Sequence, residues 1–197
     1  MSEYETLKTK KGEFIDGPLL ISPKIFNDKR GYFYESWNQK KFESYIGNSI
    51  NFKQDNHSSS IHGVIRGMHY QISPFGQGKL VRCTRGSILD VIIDIRKSHS
   101  TFSKWLSVEL SEYNQKQLWV PIGFAHGFLA TSKIAEVQYK ATEYWNPAYE
   151  KSILWNDQTI DIDWKLDKFN VNNPILGSKD DNASTLKQAE FSGGIFQ

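Results

Sequence analysis

The stretch Lys79–Ile95, KLVRCTRGSILDVIIDI, contains two runs rich in β-branched and apolar residues, separated by the turn Arg85-Gly86-Ser87. Short runs of this kind, bounded by turn residues, are typical of β-strands. Outward from this stretch, similar runs recur at a spacing of roughly 8–12 residues, as in sandwiches and barrels. A helical pattern is confined to Asn38–Ile46, which begins with an N-capping asparagine. The sequence therefore predicts an all-β sandwich or barrel of about ten strands.

The predicted strands follow one another without a linker, a repeat or a low-complexity tract between Pro18 and Trp164. This continuity predicts a single domain over residues 1–197, with its core at about 18–180. The tail after Leu176 is small and polar, so we expect about 181–197 to be mobile. In chain order, the predicted strands are Leu19–Phe26, Tyr32–Trp37, Asn51–Gln54, Gly63–Tyr70, Lys79–Arg85, Ile88–Ile95, Trp105–Leu110, Gln117–Val120, Gly127–Thr131 and Ala135–Tyr144.

The composition is that of a soluble globular protein. Apolar residues make up 39% of the 197 residues and charged residues 23%, with a mean hydropathy of −0.53. No apolar run reaches the ~18–20 residues of a membrane-spanning helix, and the polar N-terminus has no signal-peptide core. Cys83 is the only cysteine, so no internal disulfide can form and we expect a cytoplasmic location.

The charged side chains are dispersed, with 24 basic and 22 acidic residues giving a net charge of +2. A chain of this kind lacks the basic face that binds nucleic acids or anionic membranes, so neither partner is expected. Aromatic residues are abundant, at 14% of the chain. Because aromatic side chains provide large contact areas, this content favours a stacking pocket or a sizeable subunit interface, and we expect a homodimer.

A first group of chemically active side chains lies in Gly63–Gln71, GVIRGMHYQ, and in Gly76–Val81, GQGKLV. Alternate residues of a strand share a face, so His69 and Gln71 should point together. A hairpin between the two segments would bring the Lys79 ammonium beside His69. A neighbouring cation keeps an imidazole neutral, as a general base requires. The alternative is a structural histidine and a solvated lysine.

A second group lies in Pro121–Phe128, PIGFAHGF, which is similar to the second half of the metal-binding pattern of cupins. The first half of that pattern needs two histidines one residue apart and a nearby glutamate, whereas His69 is followed by Tyr70 and Gln71. Two histidines without a carboxylate make a poor metal site, so we expect no catalytic metal. His126 would then either hydrogen-bond a substrate or hold a turn.

A third group lies in Tyr139–Pro147, YKATEYWNP. Tyr139 could supply its phenol as a proton donor, and Trp145 could stack on a planar base. Taken alone, each is more often a core or interface aromatic. The sequence has no Gly-x-Gly-x-x-Gly motif after a strand and no phosphate-binding loop motif, so we expect no redox cofactor.

Short motifs connect these groups in a fixed order along the chain. They are Phe26-x-Asp28-x-Arg30-Gly31-x-Phe33-x-Glu35, Gln54-x-Asn56-x-Ser58, Arg66-Gly67-x-His69-x-Gln71, Gln77–Val81, Asp90-Val91, Asp94-x-Arg96, Pro121–Phe128 and Tyr139. From about Phe26 to Asp180, this series resembles the dTDP-4-dehydrorhamnose 3,5-epimerase family in order and spacing. The resemblance implies a metal-free, cupin-type jelly roll that dimerises and acts on a nucleoside-diphosphate 4-keto-6-deoxyhexose.

The same resemblance implies roles for individual residues. His69 matches the catalytic base, and Asp180 matches the carboxylate that orients it, although Asp181 follows directly and stays an alternative. Lys79 matches the cation that stabilises the enolate, and Tyr139 matches the acid on the opposite face of the sugar. Substrate-contacting positions are Arg30, Phe33, Glu35, Gln54, Asn56, Arg66 and His126, with Trp145 near the nucleotide base.

The resemblance implies inversion of C3 and C5, converting dTDP-4-dehydro-6-deoxyglucose to dTDP-4-dehydrorhamnose. It also implies that the Arg30 region reaches toward the partner subunit. The alternatives are an epimerase of one carbon only and a 3,4-ketoisomerase on a related nucleotide sugar. A non-enzymatic nucleotide-sugar binding module is a further alternative, but it would not need His69, Lys79 and Tyr139 together. The motifs leave the nucleotide base and the hexose open.

Overall fold

The structure, a computed structural model, describes residues 3–197 and contains thirteen strands and three short helices within that range. The helices are α1 (Gln39–Ile46), α2 (Ser178–Asp181) and α3 (Leu186–Phe191), and none of them is long or apolar enough to cross a lipid bilayer. The strands are β1 (Tyr4–Lys8), β2 (Phe14–Ile21), β3 (Phe26–Asp28), β4 (Gly31–Phe33), β5 (Gln54–Ile61), β6 (Ile65–Gln71), β7 (Lys79–Arg85), β8 (Ser87–Asp94), β9 (Trp105–Ser111), β10 (Gln117–Val120), β11 (Phe124–Ala130), β12 (Ile134–Ala141) and β13 (Glu150–Ser152). The predicted all-β class is confirmed.

Two antiparallel sheets pack against each other. One has six strands in the order β1-β2-β10-β7-β12-β5, and the other has five in the order β13-β6-β11-β8-β9. β3 and β4 form a separate two-stranded hairpin. β7 and β8 follow each other directly but lie in different sheets, so the turn at Gly86 carries the chain from one sheet to the other. Consecutive strands that change sheets are typical of a jelly roll.

The space between the sheets is filled by the inward faces of their strands. Ile88 and Ile92 point inward from the five-stranded sheet, and Val81 and Val137 point inward from the six-stranded sheet. All four are fully buried, and burying a side chain of this size stabilises the fold by about 1.5–3 kcal/mol. The same alternation directs Asp90 into this interior, so polar groups share the space with the apolar core.

Helix α1 covers the outer face of the six-stranded sheet. It begins where the Asn38 side chain accepts a hydrogen bond of 3.1 Å from the Lys41 backbone nitrogen. It ends at Gly47, whose φ of 71° is the left-handed conformation that glycine adopts at little cost. Phe42 fixes the helix on the sheet through an edge contact with Trp119, with ring centroids 5.2 Å apart. The helix predicted at Asn38–Ile46 therefore forms.

The C-terminal segment covers the outer face of the five-stranded sheet. Leu186, Ala189 and Ile195 are buried against this sheet, and the Tyr70 hydroxyl donates a hydrogen bond of 2.6 Å to the Gly194 carbonyl oxygen. This packing differs from the expectation of a mobile tail over about 181–197. The segment is polar overall but contains a few apolar side chains. Their spacing places them on one face of α3 and of the residues after it, and this face covers the sheet.

Several strands form where the sequence shows little strand propensity. β5 runs over Gln54–Ile61, QDNHSSSI, whereas the prediction placed a strand only over Asn51–Gln54. β5 pairs with β12 along all eight residues, and β13 pairs with β6. β1 and the first half of β2 precede the predicted core. In each case pairing with a neighbouring strand, rather than local propensity, makes the strand.

Candidate active site

A small polar cavity lies between the two sheets, close to the start of β7 and the end of β6. Its lining comes from both sheets and from the loop before β13. Six of its ten lining residues belong to the set predicted from the sequence, and Tyr70, Gln71, Gln77 and Glu150 complete it. Those six are Gln54, Asn56, His69, Lys79, Tyr139 and Trp145.

His69 is held by Asp180. The Nε2 atom of the ring lies 2.5 Å from Oδ1 of Asp180, and the Gly67 backbone nitrogen donates to Oδ2 at 3.4 Å. The Asp180 side chain is 8% exposed and the His69 side chain 28%, so the carboxylate lies beneath the ring as seen from solvent. With Nε2 bound to Asp180, Nδ1 is the nitrogen left to accept a proton. Asp181, the alternative partner, is exposed.

β6 departs from strict alternation next to this pair. The register of β6 against β11 shifts once, so Arg66 and His69, three residues apart, both face the interior side of the sheet. Arg66 Nε donates to Ser60 Oγ at 3.0 Å. Gly67 lies at the shift with a φ of 134°, and a Cβ atom there would come within 2.4 Å of the Gly127 Cα atom. Only glycine fits where the two backbones touch.

Lys79 approaches His69 from the opposite sheet. The predicted hairpin between their segments does not form, because β6 and β7 belong to different sheets. Instead the Lys79 side chain crosses the interior, and its Nζ donates to the His69 backbone oxygen at 3.2 Å. Burial lowers the pKa of Lys79 to about 8, against the raising effect of the Glu150 and Asp90 carboxylates. A poorly hydrated ammonium of this kind interacts strongly with an oxyanion.

Tyr139 faces the same cavity from the six-stranded sheet. Lys79 Nζ lies 5.8 Å from the centre of its ring. Burial raises the pKa of Tyr139, with a further rise from Glu150 and an opposing effect of Arg66. The phenol is therefore protonated at neutral pH, and it faces His69 from the opposite wall.

The mouth of the cavity carries two charged residues that the sequence analysis missed. These are Glu150 and Lys179. The Trp145 side chain hydrogen-bonds to the Glu150 carboxylate, and the Trp145 backbone nitrogen donates to Gln54 Oε1 at 2.9 Å. Lys179 Nζ lies 2.6 Å from Glu150. Burial raises the pKa of Glu150, but these two donors outweigh it and hold the pKa below its usual value. Glu150 lies on the unpredicted β13, and the only available signal for Lys179 was its place next to Asp180.

His126 lies beside His69 in the ladder between β6 and β11, yet it is buried and does not line the described cavity. Its Nε2 atom lies 2.9 and 3.1 Å from the two carboxylate oxygens of Asp90. Asp90 is fully buried, and a buried carboxylate requires a hydrogen-bonded partner. The structure therefore places His126 within β11 and not in a turn, and its contact with a substrate stays a prediction.

Arg66, although predicted to contact the substrate, does not line this cavity, and three further predicted substrate-contacting residues lie away from it. Arg30 is at the tip of the β3–β4 hairpin, where its guanidinium pairs with the aspartate two residues earlier at 2.5 Å. Phe33 is 72% exposed, and Glu35 pairs with Lys41 at 3.1 Å. In the described chain, none of the three lines the cavity that holds His69.

Within residues 3–197, no three His, Cys, Asp or Glu side chains come together in a way that could hold a metal ion. His69 and His126 each bind an aspartate instead. The prediction that the reaction needs no metal stays a prediction, which a chelator experiment tests.

Comparison with known proteins extends this picture over most of the chain. The family model described as dTDP-4-dehydrorhamnose 3,5-epimerase matches residues 13–188. The dTDP-4-dehydrorhamnose 3,5-epimerase of Escherichia coli K12 is 48% identical over 174 residues, which is 88% of this chain and 92% of that protein. The crystal structure of dTDP-6-deoxy-D-glucose-3,5-epimerase from Legionella pneumophila, in complex with dTDP-4-keto-L-rhamnose, has a TM-score of 0.89 and 40% identity, with 98% of each chain covered.

A third similar protein has the same fold but is a single-carbon epimerase. The 3′-monoepimerase ChmJ from Streptomyces bikiniensis, crystallised with dTDP-quinovose, has a TM-score of 0.87 and 31% identity, over 93% of this chain and 90% of that one. One jelly roll therefore serves both single and double epimerisation, so the fold alone does not set the number of carbons inverted.

The cupin-like jelly roll and these relatives place the chain among the nucleotide-sugar epimerases, which are isomerases. More particularly, the chain belongs to the dTDP-4-dehydrorhamnose 3,5-epimerase family. The predicted double epimerisation is confirmed at this level, and the single-carbon epimerase, the ketoisomerase and the binding module are not favoured.

Proposed function

We propose that the chain converts dTDP-4-dehydro-6-deoxyglucose to dTDP-4-dehydrorhamnose, with His69 as the base, Lys79 as the cation that stabilises the enolate, and Tyr139 as the acid. One observation carries these roles. His69 and Tyr139 face one cavity from opposite sheets, and Lys79 touches the first and lies beside the ring of the second. Inversion at carbon requires this arrangement, because the proton must leave from one face and return to the other.

In the first step the Nδ1 atom of His69 accepts the proton from C5. The C–H electron pair forms a carbon–carbon double bond, and the carbonyl pair moves onto the C4 oxygen to give an enolate. Imidazole is too weak to do this alone, so the Lys79 ammonium must stabilise the developing oxyanion. One such donor contributes about 3–4 kcal/mol, or roughly 10²–10³-fold in rate. Asp180 holds the ring and stabilises the imidazolium that forms.

In the second step the Tyr139 hydroxyl gives its proton to the carbon from the opposite face. The carbonyl reforms, and the configuration at that carbon is inverted. His69 then returns its proton to water and Tyr139 regains one, and the same pair acts at C3. Because burial keeps the phenol protonated at neutral pH, Tyr139 is ready for each round.

The nucleotide part of the substrate fits the mouth of the cavity. Trp145 is 55% exposed there, and stacking of a base on an aromatic ring contributes about 1–3 kcal/mol. Arg66 can bind the diphosphate through paired charge-assisted hydrogen bonds. Gln54 and Asn56 line the cavity, where their amide groups can hydrogen-bond to sugar or phosphate oxygens of the substrate.

The remaining substrate contacts come, in this proposal, from a partner subunit. The β3–β4 hairpin exposes three large aromatic side chains, with Phe26 at 54%, Tyr32 at 59% and Phe33 at 72% exposure. Aromatic surface of this extent favours burial in an interface. We infer a homodimer in which this hairpin brings Arg30 and Phe33 to the cavity of the other subunit.

A mixing experiment tests the shared site. Arg30→Ala and His69→Ala homodimers should each be nearly inactive, whereas their equimolar mixture, after subunit exchange, should recover about one quarter of wild-type activity. Half of the dimers are then mixed, and each mixed dimer has one site with both residues intact. A mixture that stays inactive despite exchange, or a monomer at micromolar concentration in sedimentation, would refute the shared site.

The proposed reaction is tested by its product. After incubation with dTDP-4-dehydro-6-deoxyglucose, nuclear magnetic resonance should show inverted configuration at both C3 and C5, and inversion at one carbon alone would contradict the proposal. A cytoplasmic location is part of the same proposal. It is supported by Cys83, which is buried and unpaired, so the described fold does not depend on an oxidising compartment.

A further inference from the structure

The hydroxyl of Ser152 lies unpaired beside the proposed base. Among the buried side-chain nitrogen and oxygen atoms of residues 3–197, Ser152 Oγ is the one without a hydrogen-bond partner. An unsatisfied buried hydroxyl destabilises a folded chain, so such groups are rare and call for an explanation.

The register of β13 against β6 places Ser152 directly opposite His69. The neighbouring pair, Met68 and Ile153, exchanges both backbone hydrogen bonds, at 3.1 and 2.9 Å. His69 and Ser152 are therefore the adjacent non-hydrogen-bonded pair, in which facing side chains come closest. Facing residues share one side of a sheet, so the Ser152 side chain points into the same interior as His69.

The segment that carries Asp180 contacts β13 on both sides of Ser152. Before it, Glu150 is held by Lys179 at 2.6 Å. After it, the backbone of Ile153 forms a β-bridge to Ser184, which follows α2 in the chain. Asp180 lies between these two attachment points along the chain, and Ser152 lies between them on the strand.

The Asp180 carboxylate has capacity for another donor. It accepts from His69 Nε2 and from the Gly67 backbone nitrogen, whereas an ionised carboxylate has about four acceptor positions. A serine hydroxyl is a suitable donor, and rotation about its Cα–Cβ bond moves the oxygen between staggered positions.

We propose that Ser152 is a positioning residue for the His69–Asp180 pair. During turnover, its hydroxyl donates a hydrogen bond to the Asp180 carboxylate and so fixes the carboxylate that orients the base. The hydroxyl then gains the partner that it lacks in the free protein. This inference rests on the proposed roles of His69 and Asp180.

The test compares Ser152→Thr with Ser152→Val, because these replacements have nearly the same shape and differ in the hydroxyl. The valine variant should have a kcat roughly tenfold below that of the threonine variant, the size of one charge-assisted hydrogen bond, at unchanged KM. Loss of a donor makes Asp180 a better acceptor for the imidazolium, so the acidic limb of the kcat profile should move to higher pH in the valine variant.

Ser152→Ala and His69→Ala complete the test. Ser152→Ala should lower kcat while leaving the Tm at or above that of the wild type, because the substitution removes an unsatisfied polar group. Equal kcat and equal pH limbs in the threonine and valine variants, with His69→Ala inactive, would overturn the role of Ser152 alone. Activity retained by His69→Ala would overturn the proposed base, and the role of Ser152 with it.

Discussion

The Nε2 atom of His69 lies 2.5 Å from the Oδ1 atom of Asp180, 111 residues further along the chain. The contact joins a strand of the five-stranded sheet to the short helix α2, which is attached to that sheet by the Lys179–Glu150 ion pair and, just after the helix, by the bridge between Ser184 and Ile153. A carboxylate in this position fixes the ring, directs one nitrogen away from the substrate and stabilises the imidazolium. The geometry of the proposed base therefore depends on the packing of the last twenty or so residues.

Asp180→Asn should lower the epimerisation rate by at least about 100-fold, because the amide favours the wrong ring tautomer and cannot stabilise the imidazolium. Asp181→Asn is the matched control, since that side chain is exposed and adjacent, and its rate should stay near that of the wild type. Initial rates and dTDP affinity by calorimetry should be measured for both variants. A larger loss in Asp181→Asn than in Asp180→Asn would show that the orienting carboxylate is misassigned.

The pH dependence of kcat/KM should reflect the protonation state of Lys79. Its pKa of about 8 means that the ammonium loses its proton above that pH in the free enzyme, so kcat/KM should fall on the alkaline side near pH 8. In the unfolded chain Lys79 keeps its proton up to its ordinary pKa of 10.5, so the free energy of unfolding should increase as the pH rises from about 8 to 10.5.

The Lys79→Met variant should have a kcat about 10²–10³-fold below that of the wild type. A flat profile from pH 7 to 10 in the wild type would contradict this assignment.

Tyr139→Phe separates proton removal from inversion. Without the phenol, His69 still forms the enolate, so deuterium from solvent should continue to enter the substrate while inverted product falls sharply. Both quantities can be read from one nuclear magnetic resonance time course in deuterated water. Circular dichroism and Tm establish that the variant is folded. A folded Tyr139→Phe enzyme that inverts at the wild-type rate would exclude Tyr139 as the acid.

Removal of divalent metal should leave the activity unchanged. Each histidine of the two cupin-like motifs binds an aspartate, and Lys79 can stabilise the enolate without a Lewis acid. Dialysis against EDTA, followed by assay with and without added zinc, iron or manganese, measures this directly. Activity that is lost on dialysis and regained with one of these metals would refute the metal-free prediction.

The sequence predicted those parts of the fold that depend on local signals. β7, β8 and helix α1 have strong β-branched or capping patterns, and they form at or near their predicted bounds. β5 and β13 carry polar sequences and exist because a neighbour pairs with them. The packing of the C-terminal segment was not predicted for the same reason, since a few apolar side chains among many polar ones give little signal until a sheet is available to cover.

The site was predicted by residue type and only partly by geometry. His69, Lys79 and Tyr139 do line one cavity, but Lys79 reaches it across the sandwich rather than through a hairpin, because neighbouring strands here change sheets. The common direction of Arg66 and His69 depends on a register shift that alternation alone does not predict. Glu150 was missed because its strand was missed.

The central claim is that His69 removes the protons from both C3 and C5. Wild-type enzyme and His69→Ala should each be incubated with dTDP-4-dehydro-6-deoxyglucose in deuterated water, with hydrogen exchange at C3 and C5 followed by nuclear magnetic resonance. The wild type should incorporate deuterium at both carbons. His69→Ala should incorporate none at either while binding dTDP with near wild-type affinity. Exchange that persists in His69→Ala, or wild-type exchange at one carbon only, would contradict the account.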